Sequence, residues 1–204
     1  LGLARRAFRR HLAAERALYP LAALSPPIGQ YFLPDDARED ARVLERLDWA
    51  AAREPAQGGV TAHPGLAGDR RGGYAFYVPE YLESDTPAPV VLALHGGRGN
   101  GPDFLWSWLP AARARGVVLI APTTIGDTWA LMGDDVDTPN LLRILAEVEA
   151  TQALDRSRIL LTGMSDGGTF SYVAGLLDGA FATALAPFAA SFHPMLLEFT
   201  SPER

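Results

Sequence analysis

The segment Gly163-Met164-Ser165-Asp166-Gly167 constrains the fold of this chain more than any other feature of the sequence. It directly follows the apolar run Ile159 to Thr162 and precedes Thr169 to Leu177, which has a helical pattern. This arrangement fits G-x-S-x-G, in which a sharp turn between a strand and a helix holds a serine above a sheet. The glycines are required because the turn brings neighbouring backbone segments close together. We therefore predict that Ser165 is a nucleophile at such a turn, the alternative being an ordinary turn serine.

Residues 73–204 alternate strand and helix patterns, which is typical of an α/β fold with a mostly parallel central sheet. Continuous apolar runs in this region predict strands that are covered on both faces. The predicted strands are Tyr74 to Val78, Pro89 to Leu94, Val117 to Ala121, Ile159 to Thr162 and Phe181 to Ala186. Before the fourth of these, Asp137 is the predicted N-cap of a helix with Pro139 in its first turn.

Residues 1–72 are mainly helical in character. Asp36 and Glu39 can form a capping box for a helix whose apolar residues recur at helical spacing, namely Val43, Leu44, Leu47, Ala50 and Ala51. Gly, Pro and Ala are frequent between Glu54 and Gly73, which predicts a loop or linker. We therefore expect a helical N-terminal segment and linker over residues 1–72, followed by an α/β domain over residues 73–204.

A second glycine-containing motif, His95-Gly96-Gly97-Arg98-Gly99, follows the predicted strand Pro89 to Leu94. In folds with a G-x-S-x-G turn, a loop at this position donates a backbone amide to the oxyanion hole. We predict that the amides of Gly97 and Asp166 together stabilise a tetrahedral oxyanion. His95 and Trp129 are candidate substrate-binding residues of the same region. The alternatives are that His95 braces the loop through hydrogen bonds and that Trp129 packs in the core.

Composition excludes several kinds of chemistry. All 18 basic residues are arginine and there is no cysteine, which excludes a Schiff-base lysine, a thiol nucleophile and cysteine-bound zinc. We interpret the adjacent Asp134 and Asp135 as capping and loop residues, and we predict neither a metal site nor a cofactor. The formal net charge of -6 argues against a nucleic-acid partner, and no apolar run is long enough to span a bilayer. We expect a cytoplasmic location and a neutral substrate.

Leu154 to Gly168 resembles the elbow region of the polyhydroxybutyrate depolymerase, feruloyl esterase and phospholipase/carboxylesterase group, in which two glycines follow the serine. Leu94 to Gly97 resembles the oxyanion loop of the same group, and the resemblance covers the region from Tyr74 to Pro194. It implies the α/β-hydrolase fold and hydrolysis of a carboxylic, lipid or polyester ester through an acyl-enzyme on Ser165. Asp166 departs from the group, which more often has a neutral residue there. A non-catalytic binding module of the same fold is the alternative function.

In this fold, the acid and the histidine of the catalytic triad follow the serine along the chain. His193 is the only histidine after Ser165, and we expect it to be a structural or pocket-rim residue, whereas His11 and His63 precede the catalytic region. We therefore expect the acid and the histidine to come from sequence outside residues 1–204. We also expect no acid–base pair within hydrogen-bonding reach of Ser165, and a sheet whose last strand edge is unpaired or covered by other residues.

Overall fold

The computed structural model of the protein describes residues 2–51, 58–65, 71–176, 180–194 and 196. The strands are β1 Gly59–His63, β2 Tyr74–Val78, β3 Ala88–Leu94, β4 Val118–Pro122, β5 Leu154–Met164 and β6 Ala184–Phe188. They form one sheet in the order β1-β2-β4-β3-β5-β6. β2 pairs antiparallel with β1 and β4, whereas the β4-β3, β3-β5 and β5-β6 pairs are parallel. The predicted α/β class with a mostly parallel central sheet is confirmed.

Helices connect the parallel strands and cover the sheet. They are α1 Gly2–Leu18, α2 Pro26–Tyr31, α3 Ala41–Ala51, α4 Gly101–Phe104, α5 Leu109–Arg115, α6 Asp137–Glu149 and α7 Asp166–Leu176. Short 3-10 helices lie at Tyr19–Leu21, Asp35–Ala37 and Leu105–Ser107. A helix thus separates each parallel strand from the next in the chain, because parallel neighbours require a crossover connection.

Two apolar layers, one on each face of the sheet, form most of the described core, and a third, smaller cluster includes Leu33, Val43 and Ala114. Successive side chains of a strand point to opposite faces, so Phe76 of β2 packs in one layer and Tyr77 in the other. The first layer joins the sheet to α6 and α7 and includes Leu92, Ile120, Leu141, Ile144, Leu145 and Phe170. The second joins it to the N-terminal helices and the region after β3, and includes Leu12, Phe32, Ala93, Leu105, Trp106, Leu109 and Leu119.

The N-terminal helices therefore share a core with the sheet. Leu12 of α1 is 3% exposed and lies in the same buried cluster as Tyr77 and Trp106. Tyr19 packs edge-on against both Tyr77 and Trp106, with ring centroids 6.1 and 5.7 Å apart. These contacts hold the N-terminal segment against one face of the sheet. The division between residues 1–72 and 73–204 stays a prediction.

The predicted loop between Glu54 and Gly73 is wrong for Gly59–His63, which forms β1. β1 pairs with β2 from Gly59 opposite Val78 to His63 opposite Tyr74. Its side chains are exposed or half-buried, so the strand has no apolar run of the kind that identified the others. The hydrogen bonds to β2, which no local pattern reveals, determine its conformation.

Several element boundaries also differ from the predictions. β6 begins at Ala184 instead of Phe181, and Phe181 packs against the core as part of the preceding loop. The predicted capping box at Asp36 and Glu39 is wrong, because α3 begins at Ala41. Its capping carboxylate is that of Asp40, which accepts a hydrogen bond of 2.9 Å from the amide of Arg42. The end of the predicted helix at Leu177 lies outside the described residues.

β6 forms the edge of the sheet next to β5. Within the described ranges it pairs with β5 alone, from Ala184 opposite Leu160 to Phe188 opposite Met164. The large side chain of Phe188 is 40% exposed at this edge. The expectation that this edge is unpaired or covered by residues outside 1–204 stays a prediction.

Candidate active site

Ser165 lies between the end of β5 and the start of α7, as the predicted strand–turn–helix requires. Its φ of 53° is in the left-handed region, which residues other than glycine rarely adopt. The turn is held because the Ser165 amide donates to the carbonyl of Phe188 at 3.1 Å and the Ser165 carbonyl accepts from the amide of Thr169 at 2.8 Å. The side chain is exposed at the carboxyl end of a central strand. The predicted turn is confirmed.

Gly163 shows why the turn needs glycine. A Cβ at this position would lie 2.5 Å from the carbonyl carbon and oxygen of Gly167, which are backbone atoms that cannot move aside. The close approach packs the end of β5 against the first turn of α7. Any side chain at Gly163 would therefore push the helix away and displace Ser165.

The loop after β3 brings Gly96 and Gly97 next to the nucleophile turn. A Cβ on Gly96 would be 3.7 Å from Cβ of Ser165, and one on Gly97 would overlap the carboxylate of Asp166. The Arg98 amide donates to the carbonyl of Asp127 and the Gly99 amide to that of Gly96, each at 3.0 Å. The amide of Gly97 between them donates to no residue that the structure describes. Its predicted role as an oxyanion-hole donor stays a prediction.

His95 is buried at the base of this loop, with 1% of its surface exposed. Its Nδ1 lies 2.7 Å from the Gly96 carbonyl oxygen, and its Nε2 lies 3.3 Å from the amide nitrogen of Thr124. These contacts require that Nδ1–H donates and that Nε2 accepts, which is the neutral imidazole. Burial lowers the pKa of His95 from its ordinary value, which favours the same neutral form. His95 therefore braces the loop. It also lines the cavity described below, and its predicted contact with substrate stays a prediction.

Trp129 is the second residue that was predicted to contact substrate, and it is 1% exposed. Its indole Nε1–H donates to the His95 carbonyl at 2.7 Å, and its ring stacks on Phe170 with centroids 5.4 Å apart. A buried tryptophan of this kind needs a hydrogen-bond acceptor, and the loop supplies one. Trp129 thus supports the His95 loop from below, which corresponds to the alternative of core packing.

Asp137 organises this region, and its role could not be predicted from the sequence. Its side chain is fully buried and accepts hydrogen bonds from Thr124 Oγ1 at 3.0 Å and from the amides of Ile125 and Ala130 at 2.9 Å each. The predicted N-cap role is wrong, because Val136 occupies the N-cap position of α6. An Asp before Thr-Pro is typical of a cap, and nothing local indicates partners in the preceding loop.

The loop from Thr124 to Ala130, which Asp137 holds, contacts both halves of the site. Thr128 Oγ1 donates to Asp166 Oδ2 at 2.6 Å, next to the nucleophile. The Asp127 carbonyl accepts from the Arg98 amide, next to Gly97. One buried carboxylate therefore positions the supports of both predicted oxyanion-hole residues.

A cavity of about 940 Å³ opens beside the nucleophile turn. One side is the loop from His95 to Asn100, and the opposite side is α1, through Phe8, Arg9 and Arg16. Met164, the residue before the nucleophile, also lines it. The cavity thus adjoins the nucleophile turn through Met164, Gly96 and Gly97, and the N-terminal helix forms part of its wall.

Comparisons with known proteins agree with this arrangement. No family model matches the chain. The bifunctional acetylxylan esterase/xylanase XynS20E of Neocallimastix patriciarum is 29% identical over 133 residues, which are 63% of this chain and 19% of that protein. The solved structure of FphF, a fluorophosphonate-binding serine hydrolase of Staphylococcus aureus, is 20% identical with a TM-score of 0.55, covering 70% of this chain and 60% of that one. Acetyl xylan esterase from Aspergillus awamori is 18% identical with a TM-score of 0.56, covering 72% of this chain and 56% of that one.

The chain has the α/β-hydrolase fold. It spans about a fifth of the length of the curated relative, and 56% and 60% of the two solved structures. The fold implied by the resemblance of the elbow and the oxyanion loop is thereby confirmed.

In the α/β-hydrolase fold the catalytic histidine follows the serine in the chain. His11 lies 3.4 Å from Glu15 within α1, and His63 stacks on Tyr74 in the sheet with centroids 4.6 Å apart. His193 is exposed. The expectation that no acid–base pair lies within hydrogen-bonding reach of Ser165 stays a prediction.

The described ranges also contain no group of three His, Cys, Asp or Glu residues placed to hold a metal ion. Asp135 accepts a hydrogen bond of 2.9 Å from the amide of Thr138, which is the capping role predicted for the Asp134-Asp135 pair. Within the same ranges, no helix has the length and apolar character needed to cross a membrane.

Proposed function

We propose that this chain carries the nucleophile and the oxyanion hole of a serine esterase, with Ser165 as the nucleophile. The observation that carries the proposal is the left-handed φ of 53° at an exposed serine, with the Gly96-Gly97 loop packed against it. Strained conformations of this kind concentrate at functional sites, because the surrounding structure must maintain them. The acetylxylan esterase names of two matched proteins, and the serine hydrolase name of a third, support the same chemistry.

In the proposed reaction, Ser165 Oγ attacks the ester carbonyl carbon while its proton passes to a histidine base. The carbonyl oxygen becomes an oxyanion that accepts hydrogen bonds from the amides of Gly97 and Asp166. Collapse of this intermediate breaks the bond to the alcohol, which takes the proton from the histidine and leaves an acyl group on Ser165. A water molecule then attacks the acyl-enzyme carbonyl through the same steps, which releases the acid and restores the serine.

The oxyanion hole is the main contribution of this part of the chain. A single donor of this kind is typically worth about 100- to 1000-fold in rate. Asp166 is the first residue of α7, so its amide also lies at the positive end of the helix dipole. The Asp166 carboxylate accepts a hydrogen bond of 2.6 Å from Thr128 Oγ1, which fixes its position beside Gly97.

His11 contacts Glu15, His63 stacks on Tyr74, and His95 is bonded within the oxyanion loop. Because these contacts engage all three histidines, the general base in the proposed reaction is another histidine. We propose carboxylic esters with a small or aliphatic acyl group as the substrate class. Acetyl esters are the first to test because two matched proteins are named for them. A cytoplasmic location stays a prediction from the sequence.

A fluorophosphonate probe tests this function on the natural full-length protein. We expect labelling at Ser165, hydrolysis of 4-nitrophenyl acetate, and loss of both in Ser165→Ala. Ser107→Ala is a matched control because Ser107 is an exposed serine outside the site, and its labelling should be unchanged. Absence of labelling and of hydrolysis in the wild-type protein would contradict the proposal and favour a non-catalytic binding module.

A further inference from the structure

The N-terminal helix is fixed against the candidate active site by two different contacts. Leu12 of α1 is buried in the core, and the Arg16 guanidinium donates to the Pro102 carbonyl at 2.9 Å and to Asp103 Oδ1 at 2.5 Å. Pro102 and Asp103 belong to α4, directly after the oxyanion loop. Arg16 therefore attaches α1, which forms one wall of the cavity, to α4, which follows the oxyanion loop.

The charges that line this cavity differ in sign from the protein as a whole. Its lining includes the arginines Arg9, Arg16 and Arg98 but only one acid, Asp103, and that acid is already paired with Arg16. Arg9 and Arg98 form no ion pair with any acid that the structure describes. Two positive charges thus remain in the cavity of a chain whose formal net charge is -6. A concave surface lined by one sign of charge concentrates ligands of the opposite sign.

Arg98 is held in place by its backbone. Its φ of 60° is left-handed, and its amide donates to the Asp127 carbonyl at 3.0 Å. A left-handed φ is strained for arginine and is tolerated by glycine. The surrounding loop therefore maintains a cationic side chain beside Gly97 at a cost in stability.

A negative charge, that of the Asp166 carboxylate, lies close to the nucleophile. The Asp166 carboxylate is packed against Gly97 and is bonded to Thr128. It would repel an anionic group close to the reacting carbonyl, so an acid group on a substrate must lie farther away, toward α1. The apolar residues Phe8, Phe104 and Met164 line the same cavity.

We propose that this cavity selects esters that carry a carboxylate at the far end of an aliphatic chain, with Arg9 and Arg98 binding the carboxylate. This inference rests on the proposed esterase function and specifies its substrate class. Guanidinium groups suit this ligand because they donate to carboxylates in a charge-assisted, two-pronged geometry. The aliphatic part of the substrate would contact the apolar residues of the cavity.

Two esters of the same chain length test the proposal: mono(4-nitrophenyl) suberate, which is anionic, and methyl 4-nitrophenyl suberate, which is neutral. We expect the full-length protein to prefer the anionic ester in kcat/KM, and this preference to fall with added salt. Arg9→Gln and Arg98→Gln should each lower kcat/KM for the anionic ester by about 10-fold, and that for the neutral ester by less than about 2-fold. Arg10→Gln is the matched control, since Arg10 is an exposed α1 arginine that does not line the cavity.

The possible failures are distinguishable. If neither ester is hydrolysed and fluorophosphonate does not label Ser165, the esterase function is wrong. In that case, calorimetric binding of monomethyl suberate, weakened in Arg98→Gln but not in Arg10→Gln, would still support the anionic site. If the neutral ester is hydrolysed but the anionic ester is not preferred, the proposed substrate class is wrong. It is also wrong if the Arg9 and Arg98 variants lower both rates equally.

Discussion

Substitution of Asp137 tests whether one buried carboxylate holds the site together. Asp137→Ala removes the acceptor of three donors, namely Thr124 Oγ1 and the amides of Ile125 and Ala130. A hydrogen bond to a charged group contributes about 1.5–3 kcal/mol, and a buried donor left without a partner adds a cost of its own. Partial entry of water offsets part of the loss. We therefore expect the free energy of unfolding to fall by about 3–5 kcal/mol.

Thermal and urea unfolding measure this loss. For a chain of this length each kcal/mol lowers Tm by about 2–4 °C, so Tm should fall by about 6–20 °C. Asp137→Asn should also destabilise, since its amide would place a donor opposite the amide of Ile125 or Ala130. Asp134→Ala is the matched control, because Asp134 is exposed, and its change should stay within about 0.5 kcal/mol.

The same variant tests the link between Asp137 and the nucleophile. The loop that Asp137 holds contacts Asp166 and Arg98, so fluorophosphonate labelling of Ser165 should slow in Asp137→Ala even well below its Tm. A loss of less than about 1 kcal/mol with an unchanged labelling rate would refute this reasoning.

Three further predictions concern the nucleophile turn and its support. Ser165→Ala should abolish labelling with little change in Tm, and labelling equal to that of the wild-type protein would exclude this nucleophile. Ser165→Gly should be more stable than Ser165→Ala by up to about 1 kcal/mol, because glycine tolerates the left-handed φ. Gly163→Ala should slow labelling and lower Tm, since its Cβ would overlap Gly167, whereas the open Gly2→Ala should change neither. Because burial depresses the folded pKa of His95, stability from this group is present above the unfolded pKa of about 6.5 and is lost as pH falls from there through the folded pKa. His95→Gln should therefore show a flatter dependence of Tm on pH between 8 and 5, and an identical profile would contradict the role of His95 as a buried neutral brace.

Much of the site was predictable because its signals are local. The turn at Ser165 requires a buried strand before it, small residues around it and a helix after it, and all of these are adjacent in the chain. The loop from His95 to Gly99 was recognised in the same way, as glycines that follow an apolar strand. Local steric requirements of this kind restrict residue choice at each position, so they remain visible in a single sequence.

Features that depend on distant partners were harder to predict. Trp129 and His95 are both aromatic and both adjacent to the site, but only the packed structure shows that both are buried and that the Trp129 indole donates to the His95 carbonyl. Asp137 has a cap-like sequence context, yet its carboxylate faces the preceding loop. β1 was missed because pairing with β2, not an apolar pattern, makes it a strand.

Short-range backbone geometry and apolar periodicity are enough to predict the α/β class, the position of the nucleophile turn and the glycine loop beside it. The surroundings of these features depend on contacts between distant parts of the chain. Arg16 contacts Asp103, 87 residues away, and this contact places the N-terminal helix over the cavity. No local pattern encodes such a contact, since its free energy depends on how the two layers pack against the sheet.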